Sequence, residues 1–148
     1  MGNLLMQEDV HRYMSINVEI RFISNFQSDH GFIAQCNYMD DRLRPNKFYI
    51  DFDDNLSAKS TLITLAHEMT HIKQMAFGQR QESLDGKGMR WMGMLIYPDD
   101  MHYYDLPWEI EAYGREYGLY DRYVQSEHGV LLPAATIVDS KSSVNMAA

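Results

Sequence analysis

Hydrophobic and polar residues alternate with period two in the first third of the chain and then switch to helical spacing. Ser15 to Ile23 alternates, so it predicts a half-buried strand with Ile16, Val18, Ile20 and Phe22 inward. Phe32 to Tyr38 and Lys47 to Asp53 predict a second and a third strand. Between them, Ser24 to Gly31 holds turn residues, and Asp40 to Asn46 is charged, contains Pro45 and reads as a loop. Leu62, Leu65, Met69, Ile72 and Ala76 then recur on one helical face. No Gly or Pro interrupts positions 56 to 77, Asn55 or Ser57 can cap the start, and Gly78 suits the stop. Met89 to Tyr97 looks extended or hairpin-like, either as an apolar flap over the core or as a wall of a cleft. Pro98 to Leu106 is a loop, and Pro107 opens a second long helix at the position that tolerates proline best.

These elements predict an α+β fold. A small, mainly antiparallel twisted sheet packs against the first long helix and against a second helix that follows it, because short connections favour antiparallel neighbours. A short helix is expected over residues 3 to 14, a strand or coil around Pro133 over residues 129 to 138, and a frayed tail over 140 to 148. Residues 1 to 139 then form one domain. Gly114 and Gly118 share the Glu111 side of the second helix, where a glycine ridge would let the first helix approach closely.

The first long helix carries His67-Glu68-Met69-Thr70-His71. Two histidines four apart lie one turn apart on one face and can aim both imidazoles at one ion. Glu68 sits about 100° round from His67 and can border that ion without binding it, as a general base requires. A catalytic zinc takes a third protein ligand and keeps one position open. The longer signature needs Gly and His where this chain has Gln74 and Phe77, so a later acid must serve. Glu109 and Glu111 are the candidates, and at about 200° apart on a helix both cannot face one ion.

Composition narrows the classes. The chain has 148 residues and a net charge of -8, with no basic patch, which argues against a nucleic-acid partner. Its one cysteine, Cys36, allows no internal disulfide and reads as a small buried residue, leaving zinc to histidine and carboxylate. Eleven scattered methionines read as core filler. The first residues, Met1 to Asp9, lack the basic region of a signal peptide, Met6 stands where a myristoylation signal wants Ser or Thr, and no run approaches a membrane span. A cytoplasmic protein without a membrane partner is the expectation. The oligomeric state is left open.

His67-Glu68-Met69-Thr70-His71 followed by Glu111-Ala112 on a later helix resembles the gluzincin branch of zinc metallopeptidases (zincins), most of all its minimal single-domain members from bacteria and phages. That family places the third-ligand glutamate directly before alanine, so the resemblance implies His67, His71 and Glu111 as ligands of Zn2+. The chain has neither the Asn-Glu start nor the later Ser-Asp of thermolysin-type members, so no substrate preference is implied. The implied activity is hydrolysis of a peptide or protein substrate by metal-activated water, with Glu68 as the general base. His102, Tyr103, Tyr104 and Tyr113 are candidate donors to a developing oxyanion. Asp105 or Glu109 is a candidate partner for a histidine's second ring nitrogen, and His11, His30 and His128 read as surface residues. A partner-specific regulator, for instance one acting on a repressor, and a non-catalytic zinc-stapled module are the other classes in view.

Overall fold

A computed structural model describes residues 15 to 128. The helix expected over residues 3 to 14, the segment around Pro133 and the tail over 140 to 148 lie outside the described residues. The elements run β1 (Asn17–Ile23), α1 (Phe26–His30), β2 (Ala34–Tyr38), β3 (Lys47–Asp53), α2 (Ala58–Ala76), β4 (Arg80–Glu82), β5 (Met89–Trp91), β6 (Met94–Ile96) and α3 (Pro107–His128). The fold is α+β. Single turns of 3-10 helix at Pro98–Asp100 and Tyr103–Asp105 interrupt the loop before α3.

The first sheet has the order β1-β3-β2. β2 pairs antiparallel with β3, whereas β1 pairs parallel with it, Asn17 opposite Lys47 and Ile23 opposite Asp53. The sheet is therefore mixed, while the other strand pairs are antiparallel. The chain between β1 and β2 is short, yet the two strands are not neighbours. α1 occupies the segment expected to be a turn, and its buried Phe26 anchors it. β3 then enters between the strands that precede it.

Alternation along β3 turns Phe48, Ile50 and Phe52 inward, and all three are fully buried. They pack with Leu65, Ile72 and Ala76 of α2, with Val18, Ile20 and Cys36 at the margins. Phe22 departs from its expected inward position: it is about half exposed and stacks on Phe52 at the sheet margin.

Ser57 caps α2, its Oγ accepting from the Ser60 N–H at 3.1 Å. At the other end Gly78 takes φ 71°, the left-handed conformation that closes a helix, and its N–H donates to the Met75 carbonyl. A second sheet, β4-β5-β6, follows. Met92 and Gly93 both have positive φ between β5 and β6, as a two-residue hairpin turn requires. The hairpin buries Trp91 against Leu106 and Trp108, which fixes the start of α3. α3 then lies along α2, with Val124 packed on Leu62. No described helix is long and apolar enough to cross a membrane.

Candidate metal centre

The helix geometry behind the sequence pattern is present. His67, Glu68 and His71 are all buried on α2. The two rings meet edge to face, 4.8 Å between centroids, and their Nε2 atoms lie 3.2 Å apart. α3 supplies the acid: Glu109 Oε2 is 3.4 Å from the His67 Nε2 and 3.4 Å from the His71 Nε2.

Glu109, and not the expected Glu111, is the acid that meets the imidazoles. Glu111 points to the side of the helix pair, where it accepts from Lys73 Nζ at 2.8 Å, Gln74 Nε2 at 2.9 Å and Arg115 Nε at 3.1 Å. The two acids do diverge as helical geometry demands. Position decides between them: Trp108 is buried in the hairpin cluster, which turns the next residue toward α2. Gly114 and Gly118 are exposed, and nothing lies within 4 Å of a β-carbon placed on either. The glycine ridge is therefore not a helix contact. The small residue on the packed face is Ala112, which is fully buried.

Both ring tautomers are fixed by their outer partners. His67 Nδ1 donates to the Glu116 carboxylate at 3.0 Å, since a carboxylate can only accept. The Gln74 amide donates from Nε2 to the Trp108 carbonyl and to Glu111. Its Oε1 is then left to accept from His71 Nδ1 at 2.9 Å. With both protons on Nδ1, both Nε2 atoms carry lone pairs, and these converge on each other and on Glu109 Oε2. That oxygen is buried without a hydrogen-bond partner among the described residues. Three acceptors facing one another in a buried site is an arrangement that a cation or an added proton must neutralise. In a tetrahedral zinc site, bonds of about 2.0 to 2.1 Å put ligand atoms about 3.3 to 3.4 Å apart. The observed edges of 3.2, 3.4 and 3.4 Å match that spacing. The His67, His71 and Glu109 group can hold a metal ion.

Sequence reasoning missed Glu116 and Gln74. Glu116 is seven residues after Glu109, two turns along the same face, so the helical period alone could have found it. Asp105, one of the two acids considered for this role, makes no contact with either ring among the described hydrogen bonds and ion pairs. Glu109, the other, faces the Nε2 side.

Protonation follows the geometry. Burial alone would raise the Glu109 carboxyl, but where an added proton rather than an ion fills the site, hydrogen bonds from His67 and His71, with Tyr103, outweigh it and hold the group well below the ordinary carboxylate range. Burial would lower His67, and Glu109, Glu68 and Glu116 reverse that and raise it. Burial first, then Glu109, pushes the Tyr103 phenol far above its ordinary value, so it stays protonated beside the acid. The Tyr113 ring packs edge-on to His67 at 4.5 Å, and Tyr104 packs on Tyr113. His102 stands further out, stacked on Tyr104, and His30 is exposed in a small aromatic group with Phe26 and Phe32. His11 and the side chain of His128 lie outside what is described.

Glu68 occupies the position between this centre and the sheet edge. Its Oε2 accepts the Cys36 backbone N–H at 3.1 Å. Burial first, then Glu68, pushes the Cys36 thiol well above its ordinary range, which makes it a poor nucleophile. No family model, curated protein or solved structure matches the chain.

Proposed function

We propose that the chain is a zinc-dependent metallopeptidase of the zincin kind. The observation that carries this reading is the triangle of lone pairs from His67, His71 and Glu109, with Glu68 beside it but outside it. Glu68 has no part in holding the triangle together, and a purely structural site would not need a second buried acid there. Two imidazoles and one carboxylate suit zinc, and three ligands leave a fourth position open, as in catalytic sites. When bound, zinc would supply Lewis acidity that activates a water at neutral pH and polarises a carbonyl.

The protein's own groups divide the remaining work. Glu68 takes the proton from the attacking water and passes it to the leaving amine. The Cys36 N–H holds one of its oxygens and leaves the other free for that transfer. Glu116 and Gln74 keep both rings in the tautomer that presents Nε2. Tyr103, held protonated, is the candidate donor to a developing oxyanion. β2 is an edge strand, and its register with β3 directs the Ala34 and Tyr38 peptide groups and the Cys36 carbonyl outward, the Cys36 N–H being taken by Glu68. An extended peptide can add beside them and pass Glu68.

The test is metal content followed by cleavage. Purified protein should carry about one zinc per chain, cleave peptides from a mixed library, and lose that activity to a chelator. Glu68→Gln should keep the zinc and lose at least about 100-fold in kcat. Cleavage by Glu68→Gln at the wild-type rate would remove the hydrolytic assignment.

A further inference from the structure

Resting on the peptidase reading, we propose that Arg80 is a specificity residue that binds a carboxylate of the substrate in the cavity beside Glu68. Arg80 opens β4, directly after the turn that ends α2. Its guanidinium lies over the Trp108 ring, 4.9 Å from the centroid. Its Nε is buried and has no hydrogen-bond partner among the described residues. Three other cations of the described residues pair with acids: Arg21 with Asp51, and Lys73 and Arg115 with Glu111. Arg80 forms no such pair within salt-bridge distance among the described residues, and whereas other unpaired cations such as Arg42, Arg90 and Arg122 are exposed, it is half-buried. A half-buried guanidinium whose buried Nε–H has no acceptor is costly, and a ligand that supplies an anion resolves it.

The space to receive that ligand is present. Arg80 lines a cavity of about 430 Å³ together with Cys36, Met75 and Met89. Cys36 is the residue whose N–H holds Glu68, so one residue of the cavity wall is bonded to the general base, which does not itself line the cavity. Burial is the largest influence on Arg80, and the Glu109 and Glu68 carboxylates act against it. Burial outweighs them and lowers its proton affinity, as expected for a cation lacking a direct partner. At the exposed rim stand Asp41, Arg42 and Glu82, and the Tyr38 hydroxyl donates to Glu82 at 3.0 Å. The apolar wall suits the methylenes of a side chain, and the planar fork of Arg80 suits a carboxylate at its end. That carboxylate can come from an aspartate or glutamate side chain or from the C-terminus of a peptide.

The experiment uses four acetylated peptides of one sequence, with Glu or Gln at a single position and a free or amidated C-terminus. They are titrated into the full, zinc-loaded, 15N-labelled Glu68→Gln chain, following the Arg80 Nε–H resonance, assigned by its loss in Arg80→Met. The resonance should move with carboxylate-bearing peptides and not with the Gln amide. Movement with Glu only, or with the free terminus only, identifies the source. In the Glu68-intact protein, the kcat/KM ratio of acidic to neutral peptides should fall roughly 10- to 100-fold in Arg80→Met, and less in Arg80→Lys, which keeps the charge and loses the fork. A resonance unmoved by every peptide would overturn the proposal. So would an Arg80→Met variant that slows acidic and neutral peptides equally. If the resonance moves but the wild-type chain cleaves nothing, the anion site stands and the peptidase reading fails. If it cleaves with a ratio indifferent to Arg80, the reverse holds.

Discussion

Glu109 and Glu111 are two residues apart on one helix and have opposite roles. Glu109 shows its Oε2 to two unprotonated ring nitrogens and to no hydrogen-bond donor. Glu111 is satisfied by a lysine, an arginine and an amide. Glu109→Gln replaces a charged ligand with a neutral one and should abolish stoichiometric zinc binding at micromolar protein, as measured by competition with a chromophoric chelator. Glu111→Gln should keep one zinc per chain. Its loss of stability should be about 1 kcal/mol or less, because its charged partners are partly exposed and solvent screens them. Zinc lost from Glu111→Gln and retained by Glu109→Gln would invert the assignment. Glu116 acts one bond further out. Removing the acceptor of His67 Nδ1–H lets the ring turn and exchange tautomers, so Glu116→Ala should weaken zinc binding about 10- to 100-fold. The same titration checks it, and an unchanged affinity would show that α2 alone holds the ring.

At the scale of elements, the centre is a property of the α2–α3 pair. Glu109, Tyr113 and Glu116 recur at intervals of four and three residues, so one stripe of α3 faces the histidines of α2. Ala112 sits on the buried side of the same turn and is 0% exposed. A larger side chain there must push the helices apart. Ala112→Leu should cost about 1 to 3 kcal/mol in denaturant unfolding and should also weaken zinc binding, because Glu109 is displaced with the helix. Overpacking absorbed without any loss of metal affinity would mean that α3 can shift without moving its acid. The two long helices and β3 were legible in the sequence because their periods are long and uninterrupted, and the histidine pair was legible because its spacing is local. The parallel pairing of β1 with β3 was not legible, since strand order depends on where α1 sends the chain, and turn-like residues concealed α1. Periodicity showed that Glu109 and Glu111 could not both face the ion. Choosing between them needed the rotation of α3, which the burial of Trp108 against the hairpin sets. The preference for a glutamate followed by alanine pointed to the wrong acid here, since Ala112 serves Glu109 from three residues away.

For the molecule as a whole, a metal ion and a proton would compete for the same atoms of the His67, His71 and Glu109 group, which ties stability to pH. Without an ion, His67 is raised and Glu109 is depressed, each by the other and by neighbouring groups. A depressed carboxyl contributes stability that is present above its unfolded value of 4.5 and is lost as the pH falls toward its folded value. A raised histidine contributes stability that is complete below its unfolded value of 6.5 and is lost as the pH rises through its folded one. The metal-free centre is therefore most stabilising between those two unfolded values. A divalent ion takes the lone pair that the His67 proton would occupy, so its benefit is smallest in that window and increases above it. Zinc at 100 times its dissociation constant adds about 2.7 kcal/mol, worth roughly 5 to 11 °C in a chain of this size. Melting curves at pH 5.5, 6.5 and 7.5, with zinc and with chelator, should show the two midpoints separating as the pH rises. The net charge of -8 attracts cations generally, so Glu109→Gln is the control, and its midpoints should stay together at every pH. A separation that is constant with pH, or that survives in Glu109→Gln, would place the stabilising ion somewhere other than on the imidazoles.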